Sequence, residues 1–164
     1  MTFRLLVPIL ALAAFAPANP AAQSAAASVQ GVWKTIEVTT TGPGARTFTN
    51  LQPNLTIVTA RHYARVEVHA ESPRPLIADA TTATADELRA MCVPFAAEAG
   101  AYELTGNHEM TMRPIVAKNP AAMAGGAFTV FSYKLSASTI EVTSLRDQNG
   151  PIAYPVTIKA IRVE

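Results

Sequence analysis

The sequence predicts an all-β fold, an eight-stranded antiparallel up-and-down barrel, and three observations carry that expectation. Beyond Gly31 the chain is a succession of short stretches rich in Val, Ile and Thr, separated by turn-forming residues. Apolar and polar residues alternate within most stretches, the period of a strand with one face on a core. Only one segment departs from this pattern, with a helical period. Eight strands of ~5–9 residues joined mostly by short connections favour an up-and-down barrel over a sandwich.

Residues 32–41 make the first strand, which Gly42-Pro43-Gly44 breaks. Residues 54–60 and 62–70 follow almost without interruption as the second and third. The fourth and fifth, 102–105 and 108–116, flank Gly106-Asn107, a small polar pair suited to a tight hairpin. Residues 127–135 and 139–145 flank Ser136-Ala137-Ser138, and 155–163 is the eighth strand.

One helix is expected between strands three and four. Thr84-Ala85-Asp86-Glu87 has the spacing of a capping box, in which two side chains satisfy backbone N–H groups at a helix start. Leu88, Met91, Cys92 and Phe95 then form one apolar stripe, and Pro94 should bend or end the helix. Such a helix would cover one mouth of the barrel, its stripe serving as plain packing or as a lid.

The 164 residues suit a single domain. A net charge of +1 with no basic cluster gives no footprint for nucleic acid. One cysteine excludes an internal disulfide framework and a Cys-based zinc cage. At the start, Arg4 precedes the apolar run 5–15 and then small residues, the pattern of a secretory leader, shorter than the ~20 apolar residues of a membrane span. Cleavage after Ala16-Pro17-Ala18 or after Ser24-Ala25-Ala26 fits equally. The expected organisation is a leader over 1–18, a flexible Ala/Ser-rich tether over 19–30 and a barrel domain over 31–164. The mature protein would be secreted or periplasmic, with no stable membrane insertion.

Strand parity sorts the side chains. His62, Ala64, Val66 and Val68 are assigned to the interior, and Tyr63, Arg65, Glu67 and His69 to the exterior. His108, Met110, Met112 and Pro114 share a face, as do Ile140 and Val142, and Val156, Ile158 and Ala160. An eight-stranded barrel is wide enough either to be filled by its own side chains or to hold one small ligand. The expected lining of such a cavity is His62, Tyr102, Met110, Met112, Phe131 and Tyr133. Arg61, Arg65, Arg74 and Lys118, in or beside loops, would form a cationic rim for a carboxylate head group.

Two sets of residues point to a family. Gly31-Val32-Trp33 resembles the Gly-x-Trp opening of lipocalins. That resemblance implies a Trp plugging the barrel base beneath a basic side chain from the far end of the chain, here Arg162. Arg61-His62-Tyr63, Pro73-Arg74-Pro75-Leu76, Gly100-Ala101-Tyr102-Glu103, the run from Arg113 to Pro120 and Met123-Ala124-Gly125-Gly126 resemble secreted bacterial lipocalin-like domain proteins. The resemblance spans about 32–163 and implies a calycin-type barrel without a catalytic motif. Ala101 stands where Thr is expected, and Met112-Arg113 where a Thr is commoner; both departures bear on what the cavity accepts.

Three functions follow as expectations. The first is binding of a small hydrophobic molecule, with or without a carboxylate. The second is an isomerase, cyclase or lyase in the same cavity, with His62 as general acid or base beside Tyr102 or Tyr133. The third is a structural or partner-binding envelope protein with a filled core. No metal is expected, because His62 and His69 fall on opposite strand faces and His62 and His108 lack a third ligand. Cys92, on the apolar stripe, reads as an inert buried thiol. Neither a nucleophile elbow nor a phosphate loop occurs, and no cofactor is implied.

Overall fold

β-branched residues and short turns build a barrel closed on itself. A computed structural model describes residues 28–164; the leader, both cleavage candidates and the tether up to residue 27 lie outside the described residues. The strands are β1 (Gly31–Thr40), β2 (Thr47–Phe48), β3 (Asn54–Val58), β4 (His62–Val68), β5 (Phe95–Thr105), β6 (Glu109–Ala117), β7 (Thr129–Leu135), β8 (Thr139–Asp147), β9 (Gly150–Pro151) and β10 (Val156–Arg162). Neighbours pair antiparallel in the order β1, β3, β4, β5, β6, β7, β8, and β10 closes the ring by pairing with both β8 and β1. The eight long strands form the barrel; β2 and β9 are short additions to β1 and β8.

The helix α1 (Ala85–Cys92) lies between β4 and β5, because the unforeseen β2 raises the strand count by one. Its capping box is complete: Glu87 N–H donates to Thr84 Oγ1, and the Thr84 N–H and hydroxyl both donate to Glu87 Oε2. It ends at Cys92, so Phe95 opens β5 instead of completing the stripe. No residue of α1 is buried, and Cys92 is exposed, which corrects the reading of a buried thiol.

The fourth expected strand is longer than its sequence suggests. β5 starts at Phe95, and its Ala- and Gly-rich first half is held by full pairing with β4 from Val68↔Phe95 to His62↔Ala101. Ladder bonds override weak intrinsic preference here. Gly100 sits opposite a β6 bulge at Ile115, where a Cβ would collide with the Arg113 carbonyl, so the close approach of β6 requires glycine.

The base of the barrel is closed at Trp33, which is 2% exposed. Its indole N–H donates to the Val29 carbonyl at 2.8 Å. The Arg162 guanidinium stacks 4.2 Å from the indole centroid and donates to the carbonyls of Ser28, Gln30 and Ala137. Val29 is buried in the same cluster, so residues 28–30 belong to the barrel base and not to a tether. Gly31 has φ +139°, and a Cβ there would meet the Arg162 guanidinium.

The facing of β4 is the reverse of the parity assignment. Tyr63 and Glu67 are buried and Arg65 is half-buried within the barrel, whereas His62, Ala64 and Val66 are exposed. Register places Val66 beside Leu55 and Ala97, and Ala64 beside Ile57 and Ala99, so an apolar row runs along the outer wall. Among the described residues no helix is long and apolar enough to cross a membrane.

Candidate functional site

β4 carries Tyr63, Arg65 and Glu67 at every second position, and β5 sets Glu98 directly opposite Arg65. Arg65 Nε lies 3.1 Å from Glu98 Oε1, and the Tyr63 hydroxyl donates to that same oxygen at 3.0 Å. Two residues further along β4, Glu67 Oε2 meets His69 Nε2 at 2.7 Å. The interior thus holds one guanidinium, two carboxylates and a phenol, with an imidazole at the edge.

This proximity governs protonation. Burial, the Glu98 charge and the hydrogen bond to Glu98 all push the Tyr63 phenol up, so it stays neutral. Burial works against charge on Arg65, but Glu67 and Glu98 outweigh it and hold the guanidinium protonated. For Glu67, burial alone would raise the carboxyl; the His69 hydrogen bond and the Arg65 charge more than offset it and bring it below the usual range.

Arg65 and Phe131 line three neighbouring hollows. The largest, about 640 Å³, reaches solvent at the end away from Trp33, with walls from Val38, Phe48, Leu51, Val68, Val156 and Ile158. That volume lies in the range of small-molecule sites. A chamber of about 70 Å³ among Trp33, Val58, Met110, Met112 and Ile140 lies towards the base. A lateral recess of about 140 Å³ opens past Glu98, Pro114, Phe128 and Asp147. It sits where β6 and β7 part, since their pairing ends at Met112↔Thr129.

The residues expected to line one cavity are dispersed. His62 is exposed on the outer wall and is removed as an interior acid or base. Tyr102 is buried and donates to the Thr59 carbonyl at 2.7 Å, and with Tyr133 it borders a separate hollow near residues 28–30. Tyr133 also packs edge-on against His108, which lies in the exposed β5–β6 turn with φ 55°. β5 separates the strands of His62 and His108, so the two cannot meet inside. Met110 and Met112 line the small chamber, and Phe131 reaches all three hollows.

The expected cationic rim does not assemble. Arg61 is exposed away from the cavity, and Arg65 lies inside the barrel. Arg74 and Lys118 instead clamp the end of α1 to β5. Arg74 stacks 4.7 Å from Phe95 and donates to the Met91 carbonyl, while Lys118 Nζ donates to the carbonyls of Cys92 and Phe95. Among the described residues, no three His, Cys, Asp or Glu side chains converge as metal ligands.

Sequence reasoning passed over Tyr63, Glu67 and Glu98. The available signal was that Tyr63, Arg65 and Glu67 share one parity with three different hydrogen-bonding groups, a set able to satisfy itself when buried. No family model matches the chain, and no curated protein is similar enough to count as a relative.

Proposed function

We propose that this protein is an exported, lipocalin-like carrier that binds one small, mainly apolar molecule in the open barrel cavity. The observation that carries the reading is a solvent-connected hollow of about 640 Å³ with apolar walls, ending on an arginine that no described side chain saturates. Burying an apolar guest there is favourable by about 25 cal/mol per Å² of apolar surface removed from water. Gly31-Val32-Trp33 under Arg162 and the closed up-and-down topology support the lipocalin-like assignment. Export rests on the leader-like sequence of residues 1–18.

Titration with a neutral, environment-sensitive dye such as N-phenyl-1-naphthylamine tests the binding reading. Saturable enhancement at one dye per chain is expected; a linear, non-saturating response contradicts it. Fractionation of cells expressing the full chain tests export, which cytoplasmic retention of uncleaved protein would overturn.

The Glu67–His69 contact at 2.7 Å favours a second reading, an acid–base enzyme working in the same cavity. In that reading Glu67 orients the imidazole and His69 moves the proton. His69→Asn would then abolish turnover of a bound molecule while leaving its affinity intact; retained turnover would reject it.

A further inference from the structure

The polar groups of the cavity differ in what they have left to offer. Asn54 is spent on the Thr35 backbone, accepting from its N–H at 2.7 Å and donating to its carbonyl at 3.2 Å. Ser144 Oγ accepts from the Val156 N–H, Glu67 pairs with His69, and Arg46 pairs with Glu71 while stacking on Phe48. Arg65 holds the one buried side-chain nitrogen or oxygen without a hydrogen-bond partner among the described residues. Its buried Nε lacks a well-directed hydrogen bond despite lying close to Glu98, and neither Nη donates to a described residue. The side chain keeps 26% exposure and lines all three hollows, so its spare donors face the cavity.

Charge decides what those donors can take. Arg65 already faces two carboxylates, Glu67 and Glu98, with His69 beyond Glu67 and the self-neutralised Arg46–Glu71 pair at the rim. A carboxylate guest would place a third anion around one guanidinium in a low-dielectric interior, where like charges repel most strongly. An ammonium guest carries donors only and has no acceptor to offer the Arg65 N–H groups. A neutral carbonyl accepts from the Nη donors and leaves the charge balance unchanged.

We infer that the barrel selects an apolar molecule bearing a neutral carbonyl (a ketone, ester or amide), hydrogen-bonded to Arg65, and discriminates against free carboxylic acids. The inference rests on reading the cavity as a ligand site.

Displacement of bound N-phenyl-1-naphthylamine by 2-decanone, decanoate and decylammonium at pH 7.5 tests it. 2-Decanone should displace the dye at a concentration roughly tenfold or more below either ion, the scale of a hydrogen bond to a charged donor. Arg65→Met should cost the ketone about tenfold more than it costs the dye. Glu98→Gln, which keeps an acceptor for Tyr63, should improve decanoate by roughly tenfold and hardly move the ketone. If Arg65→Met does not fold, the Glu98→Gln result decides. Dye binding with decanoate as effective as the ketone, or unaffected by Glu98→Gln, overturns the inference and leaves the carrier reading standing. Failure of the dye and all three compounds to bind overturns both.

Discussion

The hydroxyl of Tyr63 donates to Glu98 at 3.0 Å inside the barrel, on the same oxygen that faces Arg65 Nε at 3.1 Å. Charges buried within a strand barrel are tolerable only when each has a partner, and here phenol, carboxylate and guanidinium supply one another. The arrangement also fixes Arg65 against the β5 wall, with its outer donors turned to the cavity. Tyr63→Phe keeps the ring and deletes the bond. The expected loss is about 1.5–3 kcal/mol, the range for hydrogen bonds to charged groups, seen as a lower urea midpoint with an unchanged slope. An unshifted midpoint would mean that the phenol does not support Glu98.

Glu67 links stability to pH. Its carboxyl titrates below the ordinary carboxylate range in the folded chain, because the His69 bond and the Arg65 charge overcome the effect of burial. The unfolded chain therefore binds more protons at low pH, so stability is complete above the unfolded value near pH 4.5 and falls as pH drops through the folded value. Glu67→Gln should flatten this loss. Urea midpoints measured from pH 7 to pH 3 check it: parallel curves for the two proteins would show that Glu67 carries none of the acid sensitivity.

Arg162, on β10, ties residues 28–30 and the β7–β8 turn to Trp33. Arg162→Ala removes the cation–π contact and leaves carbonyls of Ser28, Gln30 and Ala137 without a donor. A loss of about 2–4 kcal/mol is expected from one stacking contact and several charge-assisted bonds, partly rehydrated. The Trp33 fluorescence maximum should move to longer wavelength as water enters the base; an unchanged spectrum would contradict the packing role.

The helix should be separable from the site. Thr84→Ala removes a complete capping box, typically worth ~1 kcal/mol to a helix. Because no residue of α1 is buried or lines the large cavity, amide exchange should quicken within residues 85–92 and dye affinity should hold. Weakened binding would show that the helix acts as a lid after all.

The outline of the fold was legible because its signals are local. Val, Ile and Thr stretches, the Gly106-Asn107 and Ser136-Ala137-Ser138 connections and the Thr84/Glu87 box each specify an element without knowledge of the rest. The first half of β5 was hidden because Ala96, Ala97, Ala99 and Gly100 have little strand preference, and only pairing with β4 and β6 makes them a strand. The site was not legible at β4, because the ordinary rule turns apolar residues inward. That rule fails where a barrel buries a self-satisfied polar set and leaves Ala64 and Val66 on its outer wall. His62→Ala follows from this correction: on the outer surface, it should leave both stability and dye affinity unchanged, whereas a clear loss of either would restore it to the interior.

The most direct measurement is dye titration of the wild-type protein against Val38→Trp, a change that places an indole in the large cavity from the β1 wall. The wild type should bind one dye per chain, and the variant, still folded by circular dichroism, should bind at least roughly tenfold more weakly because the space is taken. Equal titration curves for the two proteins would show that the barrel interior is not where the molecule binds.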